Sequence, residues 1–374
     1  MNTVKILHCA DIHIGARESF LGPLAAGRRA ETLITFERII DLGVKSSVDA
    51  VVIAGDLFDS NNVEQSFASS VLNKIASVPD LKVIFAAGNH DPLTQTSPFN
   101  SDKLPDNLFV LKPYDDCIGF EDCGFRIYGR SFDSVYMKGE SDFSLKPPTD
   151  EIINIMVLHG ELNNDLGACY NPITENFIKN SGMDYIALGH VHKRTEPTLS
   201  GKTYYAYSGC PEGQGFDECD EKGVYIIKAG KGICEAEFCP IAKRRHIRES
   251  IDITGLETPA EIALSVLKSL EEKYKSGFSD NLYRIELTGT SPLPDLPEIT
   301  ARLADKVYFV KLKDLTEPYI NYDELSKEIS LKGLFVKNML GKIESAQESD
   351  KPTLKSALRL GLKAFTSEVA FDED

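Results

Sequence analysis

The sequence predicts an α/β protein with a mainly parallel sheet, followed by a small α+β module and a helical tail. Three observations predict it. Apolar runs bounded by Gly, Asp or Asn recur through the first 240 residues. Amphipathic helical patterns lie between the first of these runs. Beyond residue 245 the order changes to strand, helix, strand, helix, strand, and from Leu331 it becomes helical throughout.

The runs are VKILHC, DAVVIAG, LKVIFAAG, IINIMVLHG, MDYIALG, TYYAYSG and GVYIIKAG. Continuous apolar segments of this length fit strands buried on both faces. RRAETLITFERIIDLGVKS and EQSFASSVLNKIAS carry apolar residues three and four apart, the period of a one-sided helix. Strand–helix–strand order implies right-handed crossovers within one sheet. Between 100 and 150, NLFVLKP and FRIYGRSF with Pro and Gly turns are expected as antiparallel edge strands. SIDIT, PAEIALSVLKSLEEKYK, LYRIELTG, LPEITARLAD and VYFVKLK make up the α+β module. The expected domains are 1–240, 245–318 and the tail 331–374.

The chain has 374 residues and a net charge of −16, with 42% hydrophobic and 26% charged residues. That composition is globular. The acidic balance argues against a protein that simply coats DNA. The excess is uneven: 34 acidic against 21 basic residues lie in 1–240, and 23 against 20 in 241–374. Bound cations could neutralise part of it. No apolar run reaches the ~18 residues of a membrane span, and no signal peptide pattern opens the chain. A cytoplasmic location is expected. The eight Cys form no CxxC pair, so they are expected as reduced thiols rather than a structural zinc site.

Five apolar runs end in polar groups of one kind. VKILHC leads to Asp11 and His13, and DAVVIAG to Asp56. LKVIFAAG leads to Asn89, His90 and Asp91. IINIMVL leads to His159, and MDYIAL to His190 and His192. Ligand crevices of open α/β sheets lie at the carboxyl ends of strands, so these groups can converge although 180 residues separate them. Asp, Asn and His together suit Mn, Fe, Co, Ni or Zn. The D-x-H and H-x-H spacings let two side chains of an extended segment face one side. Eight donors suit two metals better than one, and two dications ~3.5–4 Å apart would clamp both oxygens of a displacement at phosphorus. A single His at a strand end is more often a satisfied polar residue; six of the seven His lying in or beside these ends is what favours a site. His8 lies inside its strand and is expected in the core or behind the ligands.

The order D-x-H, GD, GNHD, H, GHxH resembles the calcineurin-like metallophosphoesterase superfamily. The resemblance implies a four-layer αββα sandwich of two sheets flanked by helices. It implies one metal held by Asp11, His13, Asp56 and His192. The other would be held by Asp56, Asn89, His159 and His190, with Asp56 bridging. It gives His90 contact with the phosphate and protonation of the leaving oxygen.

A narrower resemblance rests on ILHCADIHIG, VVIAGDLFD, FAAGNHDP, LHGE, ALGHVHKR and YSGCPEGQGFDECDEKGV. These segments are similar to the SbcD family of DNA repair exonucleases, including its YhaO-like branch. That family implies a DNA exonuclease/endonuclease using Mn²⁺, working with an SMC-like ATPase in double-strand break repair. It also implies a homodimer, for which 63–77 is the expected segment, and a cap at 245–318. Two positions depart from the common pattern. Cys210 stands where Ser is frequent. Asp59 stands where archaeal and eukaryotic relatives carry His, and it could orient His90 as an Asp–His pair.

Protein phosphatases read GDxVDRG, whereas GDLFDSN lacks the Arg. A hydrolase of nucleotides or small phosphodiesters would share every core motif. A binding subunit with a vestigial site is a third alternative. Lys193 and Arg194 are candidates to face the DNA backbone. Lys243, Arg244, Arg245 and Arg248 form the densest basic run, either a DNA contact or a solvated linker. No aromatic stacking array is readable, so sequence-independent binding is expected. In the tail, Leu354, Leu358, Leu362, Phe365 and Val369 share one helical face, as do Phe335, Met339 and Ile343. These stripes are either a docking face for the ATPase or the tail's own core.

Overall fold

The computed structural model describes residues 2–101, 103–139, 143–147, 149–162, 169–291, 294–318 and 321–365. Twelve strands form two six-stranded sheets. They are β1 (Thr3–Cys9), β2 (Ala50–Ala54), β3 (Lys82–Ala86), β4 (Leu108–Val110), β5 (Asp116–Phe120), β6 (Phe125–Arg130), β7 (Ile153–His159), β8 (Tyr185–Gly189), β9 (Thr198–Ser200), β10 (Thr203–Tyr207), β11 (Gly223–Gly230) and β12 (Ile233–Pro240). One sheet runs β12-β11-β1-β2-β3-β4, the other β5-β6-β7-β8-β10-β9.

Strands β1, β2, β3 and β4 pair in parallel, as do β6, β7, β8 and β10. Parallel pairing needs crossovers, which α1 (Ala25–Lys45) and α2 (Gln65–Ala76) supply for β1-β2-β3. The expectation for 100–150 is corrected here. β4 is parallel to β3, and β6 is an interior strand; the antiparallel edge is β5. The short 108–110 run lies beyond a connection that returns to the start of β3, so it adds in parallel.

Side-chain alternation sorts the core into layers. Ile6, Val52 and Ile84 of one sheet meet Ile127, Ile155 and Val157 of the other. Leu7, Val51 and Phe85 face outward onto Phe36 and Ile39 of α1 and Val71 of α2. Met156, Leu158 and Ile186 face Phe177 and Ile178 of α3 (Glu175–Asn180). Two sheets flanked by helices give the four-layer sandwich. His8 is a core residue, as expected: its ring lies 3.0 Å from the Tyr185 hydroxyl and 3.2 Å from the Leu188 carbonyl, tying β1 to β8. Burial holds its pKa down to about 3, so it stays neutral.

Beyond β12 the α+β pattern appears as β13 (His246–Asp252), α4 (Pro259–Tyr274), β14 (Leu282–Thr288), β15 (Thr290–Ser291), α5 (Leu296–Leu303), β16 (Phe309–Asp314) and β17 (Glu317–Pro318). The chain divides into two compact units. One comprises Met1–Glu249, Leu267–Ile285 and Thr300–Leu312; the other comprises Ser250–Val266, Glu286–Ile299 and Lys313–Asp374. The division therefore runs through 245–318.

In the second unit, α6 (Tyr322–Leu325) precedes two longer helices, α7 (Leu331–Ser345) and α8 (Lys351–Ala364). Val336, Met339, Leu358 and Leu362 are buried together, with Phe335, Ile343 and Leu354 packed around them. The stripes considered for docking thus cover each other, and Val369 lies outside the described residues. Among the described residues no helix is long and apolar enough to cross a membrane. Leu358→Glu with Leu362→Glu is expected to unfold this hairpin, because two buried aliphatic contacts worth roughly 2–5 kcal/mol each are replaced by charges. Loss of helical circular dichroism and faster proteolysis after 331 would show it; an unchanged digestion pattern would contradict the packing.

Candidate metal centre

The polar strand ends converge. β1, β2 and β3 are adjacent and parallel in one sheet, and β7 and β8 in the other, so five carboxyl ends meet on one side of the sandwich. The first two loops are zipped together: the amides of Asp11 and His13 donate to the carbonyls of Gly55 and Asp56, both at 3.0 Å. Asp11, His13, Asp56 and His190 all have φ in the left-handed region, between 49° and 100°. Such conformations are costly for these residues and persist where the surroundings enforce them. A Cβ on Gly55 would collide with the His159 ring, and one on Gly189 with the Ala54 carbonyl. The glycines in GD and GH thus let the two sheets approach closely enough for their side chains to meet.

Asp56 lies in the middle. Its Oδ1 accepts from the His90 amide at 2.9 Å, and its Oδ2 lies 3.3 Å from His159 Nε2 and 3.8 Å from His13 Nε2. Asp11 accepts from the His190 amide with both oxygens, each at 3.1 Å. Asn89 Oδ1 lies 2.9 Å from His159 Nε2 and 3.3 Å from His190 Nδ1. His159 Nδ1 donates to the Ala54 carbonyl at 2.9 Å, which turns Nε2 inward. Buried Asp91 holds the rear of the site, accepting from the Phe58 amide at 3.0 Å and the Gly88 amide at 2.9 Å. Burial, with the Asp56 charge adding, pushes its carboxyl up to about 6.

His13 Nε2 and His192 Nε2 are 3.1 Å apart. His192 Nδ1 faces Glu218 Oε1 at 2.6 Å, and His13 Nδ1 lies 3.3 Å from Asp59 Oδ1. With both Nδ1 atoms turned to carboxylates, two Nε2 lone pairs converge, an arrangement that repels unless a proton or cation lies between. Carboxylate–His pairs of this kind orient imidazoles toward metals. The donor set therefore fits divalent cations. Ligand atoms within 4.8 Å of one another occur in Asp11–His13–His192, Asp11–Asp56–His159, His13–Asp56–His90 and His192–Cys210–Glu218.

Electrostatics follow from this crowding. Burial works against a charged His159, yet the Asp56 and Asp11 carboxylates outweigh it and raise its pKa to about 9. His190, desolvated and beside that imidazolium, falls to about 4. Burial and then the neighbouring Glu218 push the Cys210 thiol well above its usual range. It is a neutral donor, 3.3 Å from Glu218 Oε2.

Two expectations differ from the geometry. Asp59's carboxylate faces His13, at 3.3 Å, and lies 4.0 Å from His90 Nδ1. His90 is held instead by the Asp59 carbonyl, at 3.0 Å. Arg194 is committed to Glu196 at 3.0 Å and stacked 4.0 Å from the Phe238 ring centroid, which leaves exposed Lys193 as the freer cation of the pair. The first half of the basic run is likewise occupied: Arg244 and Lys243 both pair with buried Glu31. Sequence reasoning missed Glu218. It sits in a Gly-rich loop with four other acids nearby, and only the fold puts it against His192.

Residues 4–194, just over half the chain, match the calcineurin-like phosphoesterase family. The chain is 27% identical over 311 residues to the "uncharacterized metallophosphoesterase YhaO" of Bacillus subtilis strain 168, covering 78% of this chain and 73% of that protein. It is 26% identical over 306 residues to the "DNA double-strand break repair protein Mre11" of Sulfolobus acidocaldarius, covering 78% and 76%. A protein of the same description from Methanosarcina mazei is 36% identical over 328 residues, covering 83% of this chain and 50% of its own length.

Proposed function

The chain belongs to the calcineurin-like phosphoesterase family, and from that premise we propose that it is a metal-dependent nuclease hydrolysing DNA phosphodiester bonds. The observation that carries the hydrolytic reading is the convergence of Asp11, His13, Asp56, Asn89, His159, His190 and His192 from five strand ends. DNA as substrate is supported by the similarity to the DNA double-strand break repair proteins of Sulfolobus acidocaldarius and Methanosarcina mazei.

In this reading Asp11, His13, Asp56 and His192 would hold one cation, and Asp56, Asn89, His159 and His190 another, with Mn²⁺ the best match to mixed oxygen and imidazole donors. When bound, such cations supply charge neutralisation at phosphorus and a nucleophilic water. The chain's own residues do the rest. Glu218 and Asp59 hold the His192 and His13 rings in register. His90, fixed through Nδ1 by the Asp59 carbonyl, presents Nε2 to the leaving oxygen and can deliver a proton there. The half-exposed His90 ring leaves room for a polymeric substrate. We further propose a cytoplasmic protein acting as a homodimer with an SMC-like ATPase. The tail would dock through the exposed side of its hairpin, where Leu331, Leu334 and Leu360 lie, since the other side is internal. Residues 245–318 would serve as the cap.

The experiment is direct. Full-length protein with Mn²⁺ should cut single-stranded DNA, cut bis-p-nitrophenyl phosphate slowly and leave a phosphopeptide nearly untouched. EDTA should stop it, and Mn²⁺ should restore it better than Mg²⁺. Turnover of nucleotides or small diesters with intact DNA would replace the nuclease reading.

Two further outcomes follow from the geometry. Metal binding must displace the His159 proton, because its pKa of about 9 keeps the metal-free imidazole charged at neutral pH. Apparent affinity should therefore rise as pH climbs toward about 9, and calorimetry in two buffers at neutral pH should detect proton release; none would contradict His159 as a ligand. Glu218→Gln keeps the side chain's shape but loses the charge on His192. It should weaken metal affinity or turnover about 10–100-fold with an unchanged circular dichroism spectrum.

A further inference from the structure

Beside the metal centre three rings form a row. The Tyr170 ring centroid lies 5.0 Å from that of the candidate ligand His190, with the planes 36° apart. The Tyr136 centroid lies 5.8 Å from that of Tyr170, again at 36°. Lys138 Nζ stands 6.0 Å from the Tyr136 centroid. The row leads outward: His190 and Tyr170 are half-buried, and Tyr136 is 56% exposed. An aromatic pair that serves a core hides its faces; this one opens from the candidate ligands toward solvent.

Backbone pairing holds the row in place. The Met137 amide donates to the Cys169 carbonyl at 2.9 Å, and the Asn171 amide to the Met137 carbonyl at 2.7 Å. The Tyr170 carbonyl accepts from the Glu161 amide at 3.0 Å. Asn171 is buried, and its Nδ2 donates to the His159 carbonyl at 2.9 Å. Its φ of 46° is left-handed, a conformation that persists where the surroundings enforce it. The segment that carries Tyr170 is thus fastened to the candidate ligand His159, and the segment that carries Tyr136 is fastened to that of Tyr170. Such fixed rings present a surface without an ordering cost at the moment of binding.

Electrostatics leave a need that the row meets. The chain carries −16, Arg194 is committed to Glu196, and Lys243 and Arg244 are committed to Glu31. Phosphate contacts, the usual source of affinity for DNA, are therefore scarce around the centre. Stacking of a base on an aromatic ring needs no net positive charge. A duplex keeps its base faces covered, whereas a single strand exposes them.

We propose that Tyr170 and Tyr136 are a stacking platform for the bases of a DNA single strand whose phosphate lies at the metal centre. The proposal rests on the nuclease reading and names the form of DNA that the centre takes. Bases next to the reacting phosphate pack along the exposed side of the row, and Tyr136, the most open ring, carries the larger share. Stacking accepts any base, so recognition stays independent of sequence. The two tyrosines come from different loops, which is why no array is visible along the chain.

The test measures KM and kcat of the full-length Mn²⁺ protein on two single strands of equal length. One is oligothymidylate, whose bases stack poorly on one another and leave their faces to the protein. The other has tetrahydrofuran abasic units throughout. Both carry the same phosphates and the same kind of leaving oxygen, so only the bases differ. KM for the abasic strand should be about tenfold higher than for oligothymidylate. That ratio should fall toward one in Tyr136→Ala and return in Tyr136→Phe, which keeps the ring. Equal KM values for the two strands in the wild type would overturn the platform and leave the nuclease reading standing. So would a ratio that Tyr136→Ala leaves unaltered. Turnover of neither strand would overturn the nuclease reading and the platform with it. If Tyr136→Ala fails to fold, the wild-type comparison decides, since it needs no variant.

Discussion

Asp56→Ala is expected to abolish activity and strip metal from the whole centre, the largest effect of any single substitution. The carboxylate is buried and stands between the His13–His192 pair and the His159–Asn89 pair, with Oδ2 3.3 Å from His159 Nε2 and 3.8 Å from His13 Nε2. No neighbouring side chain can substitute: Asp11 is engaged by the His190 amide and Asp91 by two backbone amides. Its loss removes an anion shared by both halves, and several kcal/mol of charge stabilisation correspond to about 10³-fold or more in rate. The alanine variant also deletes the acceptor for the His90 amide, which could disturb the GNHD loop. Asp56→Asn keeps an oxygen there and separates the two effects. Elemental analysis should find both metals depleted in each variant. Two metals per chain retained in the asparagine variant would overturn the shared role.

The sandwich and the convergence of the candidate ligands were legible for one physical reason. Strands buried on both faces admit few polar residues, so Asp11, Asp56, Asn89, His159 and His190 stand out where five such runs stop. What was not legible depends on pairings between segments far apart. The orientation of Asp59 toward His13 rather than His90 is set by where β1 and β2 place their loops. Glu218 meets His192 only because β8 and the 210–218 loop lie together, and nothing in its local sequence separates it from neighbouring acids. The basic run at 243–248 reads as either a DNA contact or a solvated linker, and neither reading finds the Glu31 that α1 supplies to Lys243 and Arg244. The tail shows the same limit. An apolar helical stripe states that something covers it, and here α7 and α8 cover each other. Strand polarity at β4 and β6 also escaped, because short runs with turn residues look alike in either direction.

His90→Ala is expected to separate chemistry from metal binding. His90 follows the candidate ligand Asn89 but differs from the other imidazoles: its ring is 44% exposed, while His13 and His159 are buried. Its Nδ1 is taken by the Asp59 carbonyl at 3.0 Å, an acceptor that keeps a proton on Nδ1 and leaves Nε2 facing outward, where the imidazolium form carries the second proton that can be given up. A group so placed suits proton delivery to a departing oxygen, worth roughly 10²–10⁴-fold. Geometry alone leaves one competing role, since His13, Asp56 and His90 together also lie close enough to hold a cation. Two measurements divide the roles. Elemental analysis of His90→Ala should find the wild-type metal content, whereas His159→Ala should lose metal. The rate loss should also depend on the leaving group. DNA cleavage, which expels a basic alkoxide, should fall by the full factor, and bis-p-nitrophenyl phosphate, whose phenolate leaves unprotonated, by much less. Equal losses on both substrates with metal depleted would make His90 a ligand. Asp59→Asn gives the complementary result: with its carboxylate on His13 and its carbonyl on His90, it should lower metal affinity while the leaving-group dependence stays that of the wild type.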